Sequence, residues 1–322
     1  MTANHPGTPR PGALTPQPDG ARDSALVPPP DAAIDAIVAL ALAEDAPWGD
    51  VTSELLLPAD AVATASLISR EQGVLSGVRV LERTMALVDP AVRVRLLARD
   101  GDALEPGAVV ATIEGPARAV LRGERIALNL LQRMSGIATV TARYVAAVAG
   151  TRARIVDTRK TTPGLRVLEK YAVRCGGGHN HRFGLSDAVL AKDNHLAVLA
   201  SGEGTDLARI LREARGRLPH TMRIEVEVDR IDQIEPVLAG GVDTIMLDNF
   251  SPEQLRAGVA LVAGRALVEA SGGVTLETVG AIAATGVDLV SVGALTHSVR
   301  ALDLGLDMEV AAAAGAGPGA AG

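Results

Sequence analysis

A short stretch of this chain concentrates side chains that bind anions. Between Asp157 and His195 the sequence carries a set of cationic residues, namely Arg159, Lys160, His181, Arg182 and Lys192. The chain has 31 lysines and arginines, but its lysines are only Lys160, Lys170 and Lys192. Ammonium and guanidinium groups differ in hydration and donor geometry, so this use of lysine indicates positions that arginine cannot fill. Together these donors predict a site for carboxylates or phosphates.

Acidic residues and glycines farther along the chain complement these cations. Glu227 and Asp248 each lie at the end of a short apolar run, and carboxylate oxygens suit Mg²⁺. Two later runs end in groups that offer backbone N–H donors without side-chain hindrance, namely Ser271-Gly272-Gly273 and Gly293-Ala294. Such groups are typical of phosphate sites. The combination predicts a phosphorylated substrate that is bound with Mg²⁺.

Six apolar runs must position these residues. We predict parallel strands at residues 154–157, 189–192, 223–228, 244–247, 266–269 and 289–292. The last four begin 21 to 23 residues apart, which suits a strand, a loop and an amphipathic helix. Polar residues follow each run, and the carboxyl ends of parallel strands form one face. The pattern favours a parallel α/β barrel or a sheet closed most of the way round. A doubly wound open sheet is the alternative, but no G-x-G-x-x-G turn follows a strand.

The other segments define the expected domains. Residues 1–30 and 311–322 are rich in Pro, Gly and Ala and are predicted to be disordered tails. Residues 31–150 are expected to form one domain, with Asp31 capping a helix, short strands between 62 and 115, a helix near 78–88 and a long helix at 121–149. Residues 151–295 would form the barrel, and 296–310 would return to the first domain.

Composition limits the class of protein. The chain has 322 residues, 48% apolar, with only 2% aromatic, so its core is expected to consist of aliphatic side chains. One cysteine cannot form an internal disulfide, which favours a reducing compartment. No apolar window is long enough to span a membrane, and no basic-then-apolar leader is evident. A net charge of −7 argues against non-specific nucleic-acid binding. We therefore expect a cytoplasmic enzyme that binds neither nucleic acid nor membranes.

Other chemistries fit parts of this pattern. Cys175, His179 and His181 could be zinc ligands, but their spacing matches no common site and no fourth ligand is evident. Lys160 or Lys192 could form a Schiff base, as barrel aldolases do, although that role leaves the acidic pair and the arginines without a task. A non-catalytic binding protein is a further alternative.

Several motifs resemble one family. The stretch DTRKTTPGLRVLEKYAVRCGGGHNHRFGLSDAVLAKDNHL is similar to the signature of the quinolinate phosphoribosyltransferases. Further matches are EDAPWGDVTS, GERIALNLLQRMSGIAT, EVEVD, MLDNF, EASGG and VGALTHS. The similarity runs from about Ala33 to Met308. Two features depart from it: the 1–30 tail lies outside, and His179 stands where a small residue is more usual. Neither departure affects the inferred chemistry.

The resemblance implies a type II phosphoribosyltransferase fold, an incomplete parallel α/β barrel with an N-terminal α/β sandwich domain. It implies a homodimer or higher homo-oligomer in which Arg125 reaches the partner's site. It also implies that the enzyme joins quinolinate to phosphoribosyl pyrophosphate, giving nicotinate mononucleotide, pyrophosphate and CO₂ in NAD biosynthesis. A paralogue that uses another aromatic acid as acceptor is the alternative within the family.

The resemblance further implies roles for single residues. Arg159, Arg182, Lys192 and His181 would bind the two quinolinate carboxylates, and Lys160 would contact the phosphoribosyl donor. Glu227 and Asp248 would hold the ribose hydroxyls and Mg²⁺. The remaining implied substrate contacts are Thr158, Ser271, Gly272, Gly273, Gly293, Ala294 and Leu295. Lys160, Lys192, Glu227 and Asp248 would be the catalytic residues. No organic cofactor and no covalent enzyme intermediate are expected.

Overall fold

The computed structural model describes residues 26–200 and 206–310, which separate into two units. The N-terminal unit contains residues 26–143, 160–180 and 293–310. The barrel unit contains residues 144–159, 181–200 and 206–292. The predicted tails at 1–25 and 311–322 lie outside the described residues.

Twelve strands form the sheets of the described chain. They are β1 (Val62–Ser69), β2 (Gly73–Val74), β3 (Arg93–Leu96), β4 (Ala103–Leu104), β5 (Val109–Pro116), β6 (Arg154–Val156), β7 (Val189–Ala191), β8 (Ile224–Val228), β9 (Thr244–Asp248), β10 (Leu267–Ser271), β11 (Leu289–Ser291) and β12 (Leu304–Val310).

Eleven α-helices and one 3₁₀ turn (Ile231–Gln233) accompany them in the described residues. The helices are α1 (Asp31–Asp45), α2 (Val51–Leu56), α3 (Val78–Val88), α4 (Ala117–Ala147), α5 (Arg166–Cys175), α6 (Asp193–Ala200), α7 (Leu207–Arg217), α8 (Ile234–Leu238), α9 (Pro252–Val262), α10 (Val279–Ala283) and α11 (Ala294–His297). None of these is long and apolar enough to cross a membrane.

The barrel unit contains a six-stranded parallel sheet in the order β6-β11-β10-β9-β8-β7. From β7 to β11 each strand pairs with the next along the chain, so the described sheet winds in one direction as a barrel does. β6 and β7 lie at its two edges. The prediction of an incomplete parallel α/β barrel is confirmed, and the order of β7 to β11 does not fit a doubly wound sheet.

The N-terminal unit is built on an antiparallel sheet in the order β12-β1-β5-β3. In β1 the side chains alternate, with Ala63, Ala65 and Leu67 buried, as expected when one face of a sheet packs on a core. α3 contributes Leu81 and Met85 to that core. The C-terminal strand β12 pairs with β1, with Met308 opposite Ala65.

The predicted elements differ from the observed ones mainly at their ends. Both ends of each barrel strand lie within two residues of the predicted ends. The prediction for Asp31 was wrong. Asp31 is the first helical residue of α1, and Pro30 occupies the cap position without a side-chain hydrogen bond. The Asp31 carboxylate instead pairs with Arg79 at 2.6 Å, because an ionised guanidinium is a stronger partner than a backbone N–H.

Residues 160–180, which the sequence placed in the barrel, group with the N-terminal unit. The contacts of α5 explain this assignment. The Tyr171 hydroxyl donates to Asp100 Oδ2 at 2.8 Å, and the Ser76 hydroxyl donates to Cys175 Sγ at 3.2 Å. Both partners lie in the N-terminal unit, and hydrogen bonds over such long sequence separations leave no local pattern.

The environment of Cys175 makes a prediction about its reactivity. Burial raises the pKa of this thiol to about 12, and thiolate is the reactive form of cysteine. We expect native protein at pH 8 to react with a chromogenic disulfide reagent at least about 100-fold more slowly than protein in guanidinium chloride. Equal rates in the two states would contradict the buried position. A buried thiol that accepts a hydrogen bond from Ser76 also gives no support to the zinc alternative.

Candidate active site

The predicted site residues of the barrel unit follow the carboxyl ends of its strands. Thr158 and Arg159 follow β6, and Lys192 follows β7. The others lie at the ends of the next strands in the sheet: Glu227 in β8, Asp248 at the end of β9, Ser271 at the end of β10, and then Gly272 and Gly273. Since the strands are parallel, these ends share one edge of the sheet. The structure therefore places the predicted cations, acids and glycines of this unit at a common edge.

Arg182 lies on the segment before β7 and presents a guanidinium with unused donor capacity. One terminal nitrogen donates to the Ala188 carbonyl at 3.1 Å, while its Nε is buried without a hydrogen-bond partner. Burial, followed by the charge of nearby Arg159, holds the pKa of Arg182 below its usual value. Two guanidinium groups close enough to repel each other form a ready site for an anion. A carboxylate would relieve the repulsion and satisfy the buried donor.

Lys192 and Glu227 form an ion pair between the ends of neighbouring strands β7 and β8. The Lys192 side chain is 46% exposed, whereas that of Glu227 is 11% exposed. The backbone N–H of Lys192 donates to His195 Nδ1 at 3.1 Å, so the His195 ring accepts a hydrogen bond from the backbone at the start of α6. The pairing leaves Lys192 within reach of a ligand and ties it to a predicted metal ligand, Glu227.

Asp248 is held by Asn249, a residue whose role the sequence did not reveal. Asn249 has a φ of +59°, a left-handed conformation that is uncommon outside glycine. Its side-chain amide donates to Asp248 Oδ2 at 2.6 Å, and its backbone N–H donates to the Ser271 carbonyl at 2.8 Å. A strained residue that fixes an acidic side chain is typical of functional sites.

Gly272 and Gly273 form the turn that follows β10. Their φ values are +89° and +58°, so both occupy the left-handed region. A Cβ atom on Gly272 would lie 2.1 Å from Asn249 Oδ1, whereas one on Gly273 would meet nothing within 4 Å. Gly272 is thus required for close approach, and successive N–H groups in such turns form concavities that bind anions.

A second pair of acidic residues lies deeper in the sheet, below the carboxyl ends of the strands. Glu225 in β8 and Glu269 in β10 are 8% and 1% exposed. His181 Nε2 lies 3.0 Å from Glu225 Oε2 and 3.8 Å from Glu269 Oε2. Each glutamate has one carboxylate oxygen, Oε1, that is buried without a hydrogen-bond partner. Burial, followed by the charge of Glu225, raises the pKa of Glu269 well above its usual range.

The sequence reasoning missed both glutamates. A signal was present in the motif EVEVD, since Glu225 and Glu227 are two residues apart and must therefore point to the same side of β8. All five residues of β8 are buried, so the strand carries two buried carboxyl groups on one side. Charged residues in a fully buried strand are unusual and mark a site.

The pKa of Glu269 predicts how stability depends on pH. A carboxyl whose native pKa is raised binds more protons in the native than in the unfolded state, so the free energy of unfolding falls as pH rises from about 4 toward the native pKa. Four residues face this carboxyl and are the same in wild type and in Glu269→Gln, namely Glu225, Glu227, His181 and Ser291. We expect the melting temperature of Glu269→Gln, relative to wild type, to increase across that interval. A difference that stays constant from pH 4 to pH 8 would contradict the assignment.

Five predicted site residues belong to the N-terminal unit. Arg125 is exposed on α4, and Lys160 is exposed after Arg159. The Thr296 hydroxyl donates to the Lys160 carbonyl at 2.7 Å. Gly293 precedes α11, whose first residues are Ala294 and Leu295. Leu295 is fully buried, so only its backbone is available to a ligand. The roles of these five residues remain predictions.

One cluster of three or more metal-ligating side chains occurs in the described part of the chain, and it consists of His181, Glu225 and Glu269. Cys175 and His179 do not belong to it. The pair Glu227 and Asp248 lies on neighbouring strands, where Val228 is opposite Leu247. Carboxylate oxygens from such a pair suit a hard cation that keeps several water ligands, as Mg²⁺ does. The donor chemistry at the site edge therefore fits Mg²⁺.

Comparison with known proteins assigns the whole arrangement to one family. Residues 50–135 match the N-terminal domain of quinolinate phosphoribosyl transferase, and residues 137–307 match its C-terminal domain. The nicotinate-nucleotide pyrophosphorylase (carboxylating) of Mycobacterium leprae is 48% identical over 274 residues, covering 83% of this chain and 94% of that protein. A probable nicotinate-nucleotide pyrophosphorylase (carboxylating) of Bacillus subtilis is 43% identical over 265 residues, covering 82% and 90%.

Solved structures agree with the sequence matches. NadC from Streptococcus pyogenes superposes with a TM-score of 0.83 at 40% identity, covering 89% of this chain and 100% of that one. The nicotinate-nucleotide pyrophosphorylase from Francisella tularensis gives a TM-score of 0.82 at 36% identity, covering 88% and 99%. Fold and sequence therefore point to the same family over most of the chain.

Proposed function

Since the chain belongs to the quinolinate phosphoribosyltransferase family, we propose that it transfers phosphoribosyl from 5-phosphoribosyl 1-pyrophosphate to quinolinate with decarboxylation. The products are nicotinate mononucleotide, pyrophosphate and CO₂, and the reaction is a step of NAD biosynthesis. The observation that carries the proposal is the half-buried Arg182 side chain, whose buried Nε donor has no hydrogen-bond partner and whose guanidinium lies near a second one, Arg159.

Two close guanidinium groups favour a dianion over a monoanion. Each carboxylate accepts two parallel N–H bonds from an arginine, which fixes the plane of the acceptor ring as well as its charge. Burial and then the charge of Arg159 hold the pKa of Arg182 below its usual value. Quinolinate carries two adjacent carboxylates, so it neutralises the repulsion between the two guanidinium groups. Lys192, half-exposed at the neighbouring strand end, supplies a further cation. This clamp aims the ring nitrogen at the anomeric carbon of the donor.

The acids and glycines suit the phosphoribosyl donor. Gly272 and Gly273 offer backbone N–H groups to a phosphate. The family resemblance implies that Lys160 contacts the same donor. Glu227 and Asp248 would hold Mg²⁺ and the ribose hydroxyls, and the ion stabilises negative charge on the departing pyrophosphate when it is bound. Lys192 orients Glu227 through their ion pair. Asn249 orients Asp248 by donating to its carboxylate.

Decarboxylation needs little from the protein beyond binding. Once the ring nitrogen carries the ribose it is cationic, and it stabilises the electron pair left on the adjacent carbon when CO₂ departs. A proton from solvent then bonds to that carbon and completes nicotinate mononucleotide. No covalent bond to the enzyme is required at this step. The role of Arg159 and Arg182 is to hold the pyridine ring while the carboxylate next to the ring nitrogen leaves as CO₂.

We further propose a cytoplasmic homodimer in which Arg125 of one protomer serves the site of the other. Arg125 is exposed on α4, and this exposure agrees with a function outside its own protomer. Sedimentation analysis of wild type, and complementation between inactive Arg125→Ala and Asp248→Asn protomers, test this assembly. Recovery of activity on mixing supports it, and its absence from a mixed dimer contradicts it.

Release of ¹⁴CO₂ from quinolinate labelled in its 2-carboxylate tests the reaction. We expect stoichiometric release that requires the phosphoribosyl donor and Mg²⁺, with nicotinate mononucleotide detected by mass. A paralogue for another aromatic acid would release none. A Schiff-base lyase would be trapped by borohydride with a carbonyl substrate. We expect no trapping, because Lys192 Nζ is already engaged by the Glu227 carboxylate. A binding protein would bind quinolinate without consuming the donor.

A further inference from the structure

Three residues form an arrangement that the predicted substrate contacts do not explain. We name them the support cluster: His181, Glu225 and Glu269. Glu225 and Glu269 stand on β8 and β10, two strands that are separated by β9. Their carboxyl groups nevertheless meet the same imidazole, at 3.0 Å and 3.8 Å from His181 Nε2. The two carboxylate side chains are 10% and 1% exposed, so the contact lies inside the barrel unit and is largely shielded from bulk water.

The hydrogen bonds of His181 define its tautomer. The backbone N–H of Arg182 donates to His181 Nδ1 at 2.7 Å, so Nδ1 presents a lone pair and carries no proton. A neutral imidazole must then carry its proton on Nε2, where Glu225 Oε2 accepts it. Both ring nitrogens are therefore used within the protein. The family resemblance implies instead that His181 binds a quinolinate carboxylate.

The same bonds argue against a metal ion in the support cluster. A metal on Nε2 needs the lone pair of that nitrogen, and the other ring nitrogen of a metal-bound histidine donates its N–H to an acceptor. Here Nδ1 faces a donor, the Arg182 N–H. The imidazole could satisfy both only as an imidazolate. The chemistry of the cluster thus fits a hydrogen-bonded chain better than a metal site.

The chain of bonds leads from the buried carboxyl groups to Arg182. Glu225 fixes the His181 ring, the ring fixes the backbone N–H of Arg182, and the backbone N–H of His181 donates to buried Asp157 at 2.8 Å. The Arg182 side chain has one protein hydrogen bond, to Ala188, and a buried Nε without one. Its direction therefore depends on how its backbone is held.

We propose that the support cluster is a positioning device that holds Arg182 in the orientation needed to bind the carboxylates of the acceptor. The proposal rests on the proposed function for the identity of that ligand. Glu225 and Glu269 touch neither substrate, and His181 acts through Arg182. Loss of the cluster should consequently weaken acceptor binding selectively, while binding of the phosphoribosyl donor and the fold remain.

Variants at Glu225 test whether the support cluster affects the KM for quinolinate without affecting the KM for phosphoribosyl pyrophosphate. Glu225→Leu fills the space but leaves the His181 Nε2–H without an acceptor, and we expect the KM for quinolinate to rise about 10- to 100-fold. The KM for phosphoribosyl pyrophosphate should change less than about threefold. Glu225→Gln keeps an acceptor oxygen and should recover most of the loss. The matched control is Glu213→Gln, whose exposed carboxylate pairs only with Arg209 among the hydrogen bonds and ion pairs described.

A second variant covers the case in which Glu225→Leu does not fold. His181→Phe keeps a planar ring of somewhat larger size and removes both side-chain hydrogen bonds, and it should show the same rise in KM for quinolinate alone. Equal changes in both Michaelis constants, or wild-type values in the folded variant, would overturn the proposal. Stoichiometric zinc or another transition metal in purified wild type, lost in His181→Phe, would overturn it as well.

Nitrogen NMR of the imidazole rings separates this proposal from the proposed function. In ¹⁵N-histidine-labelled wild type, the His181 signals, identified by their absence in His181→Phe, should show an Nε2–H and an unprotonated Nδ1 whether or not the enzyme acts on quinolinate. A ring protonated on Nδ1 would overturn the support cluster even if turnover is observed. Absence of ¹⁴CO₂ release with the Nε2–H tautomer intact would instead reject the proposed reaction.

Discussion

Replacing Arg159 with alanine is expected to reduce kcat/KM for quinolinate by about 10²- to 10³-fold, since removal of one member of a buried, hydrogen-bonded charge pair typically costs about 3 to 4 kcal/mol. The guanidinium follows β6 at the site edge and lies near enough to Arg182 to lower its pKa. In Arg159→Ala a dicarboxylate would meet one guanidinium where two are needed. Steady-state kinetics with quinolinate as the varied substrate measures the loss.

Two further variants serve as controls for Arg159→Ala. Arg159→Lys should recover only a small part of the loss, because an ammonium group cannot make two parallel hydrogen bonds to a carboxylate. Arg209→Ala removes an exposed guanidinium that pairs with Glu213 on α7, and it should match wild type. Near-normal turnover by a folded Arg159→Ala enzyme would show that the carboxylate clamp is wrongly assigned.

Gly272→Ala is expected to destabilise the enzyme by about 2 to 5 kcal/mol and to lower kcat/KM for the phosphoribosyl donor by at least about 100-fold. The added Cβ would lie 2.1 Å from Asn249 Oδ1 and 2.8 Å from its backbone nitrogen, and the residue has a φ of +89°. The turn and Asn249 must therefore shift. Because Asn249 holds Asp248, the change reaches a predicted metal ligand.

Thermal melting and donor kinetics measure the two effects of Gly272→Ala separately. Gly216→Ala is the matched control, because a Cβ there meets nothing within 4 Å and the residue lies in helix α7. Alanine is the better helix former, so the control should be as stable as wild type or slightly more stable. Normal melting of Gly272→Ala together with normal donor kinetics would show that the turn tolerates a side chain and does not approach the donor closely.

The sequence alone was sufficient for the architecture of the barrel unit and for the residues at its site edge. Parallel strands are buried on both faces and appear as short apolar runs, and the regular spacing of the later runs identifies βα units. Because the carboxyl ends of such strands share a face, the sequence predicts that residues as distant as Arg159 and Asp248 lie on the same side of the sheet. The motifs then identified the family.

Tertiary structure alone decided how those side chains are partnered. Glu225 and Glu269 are separated by a complete βα unit and by β9, so only the strand order shows that both reach His181. The hydrogen bond from the Asn249 backbone to Ser271, the contact of His181 Nε2 with Glu225 and the assignment of residues 160–180 to the N-terminal unit likewise depend on contacts over long sequence separations. Periodicity reports which face a residue occupies, whereas hydrogen bonds and protonation depend on which other residues the fold buries beside it.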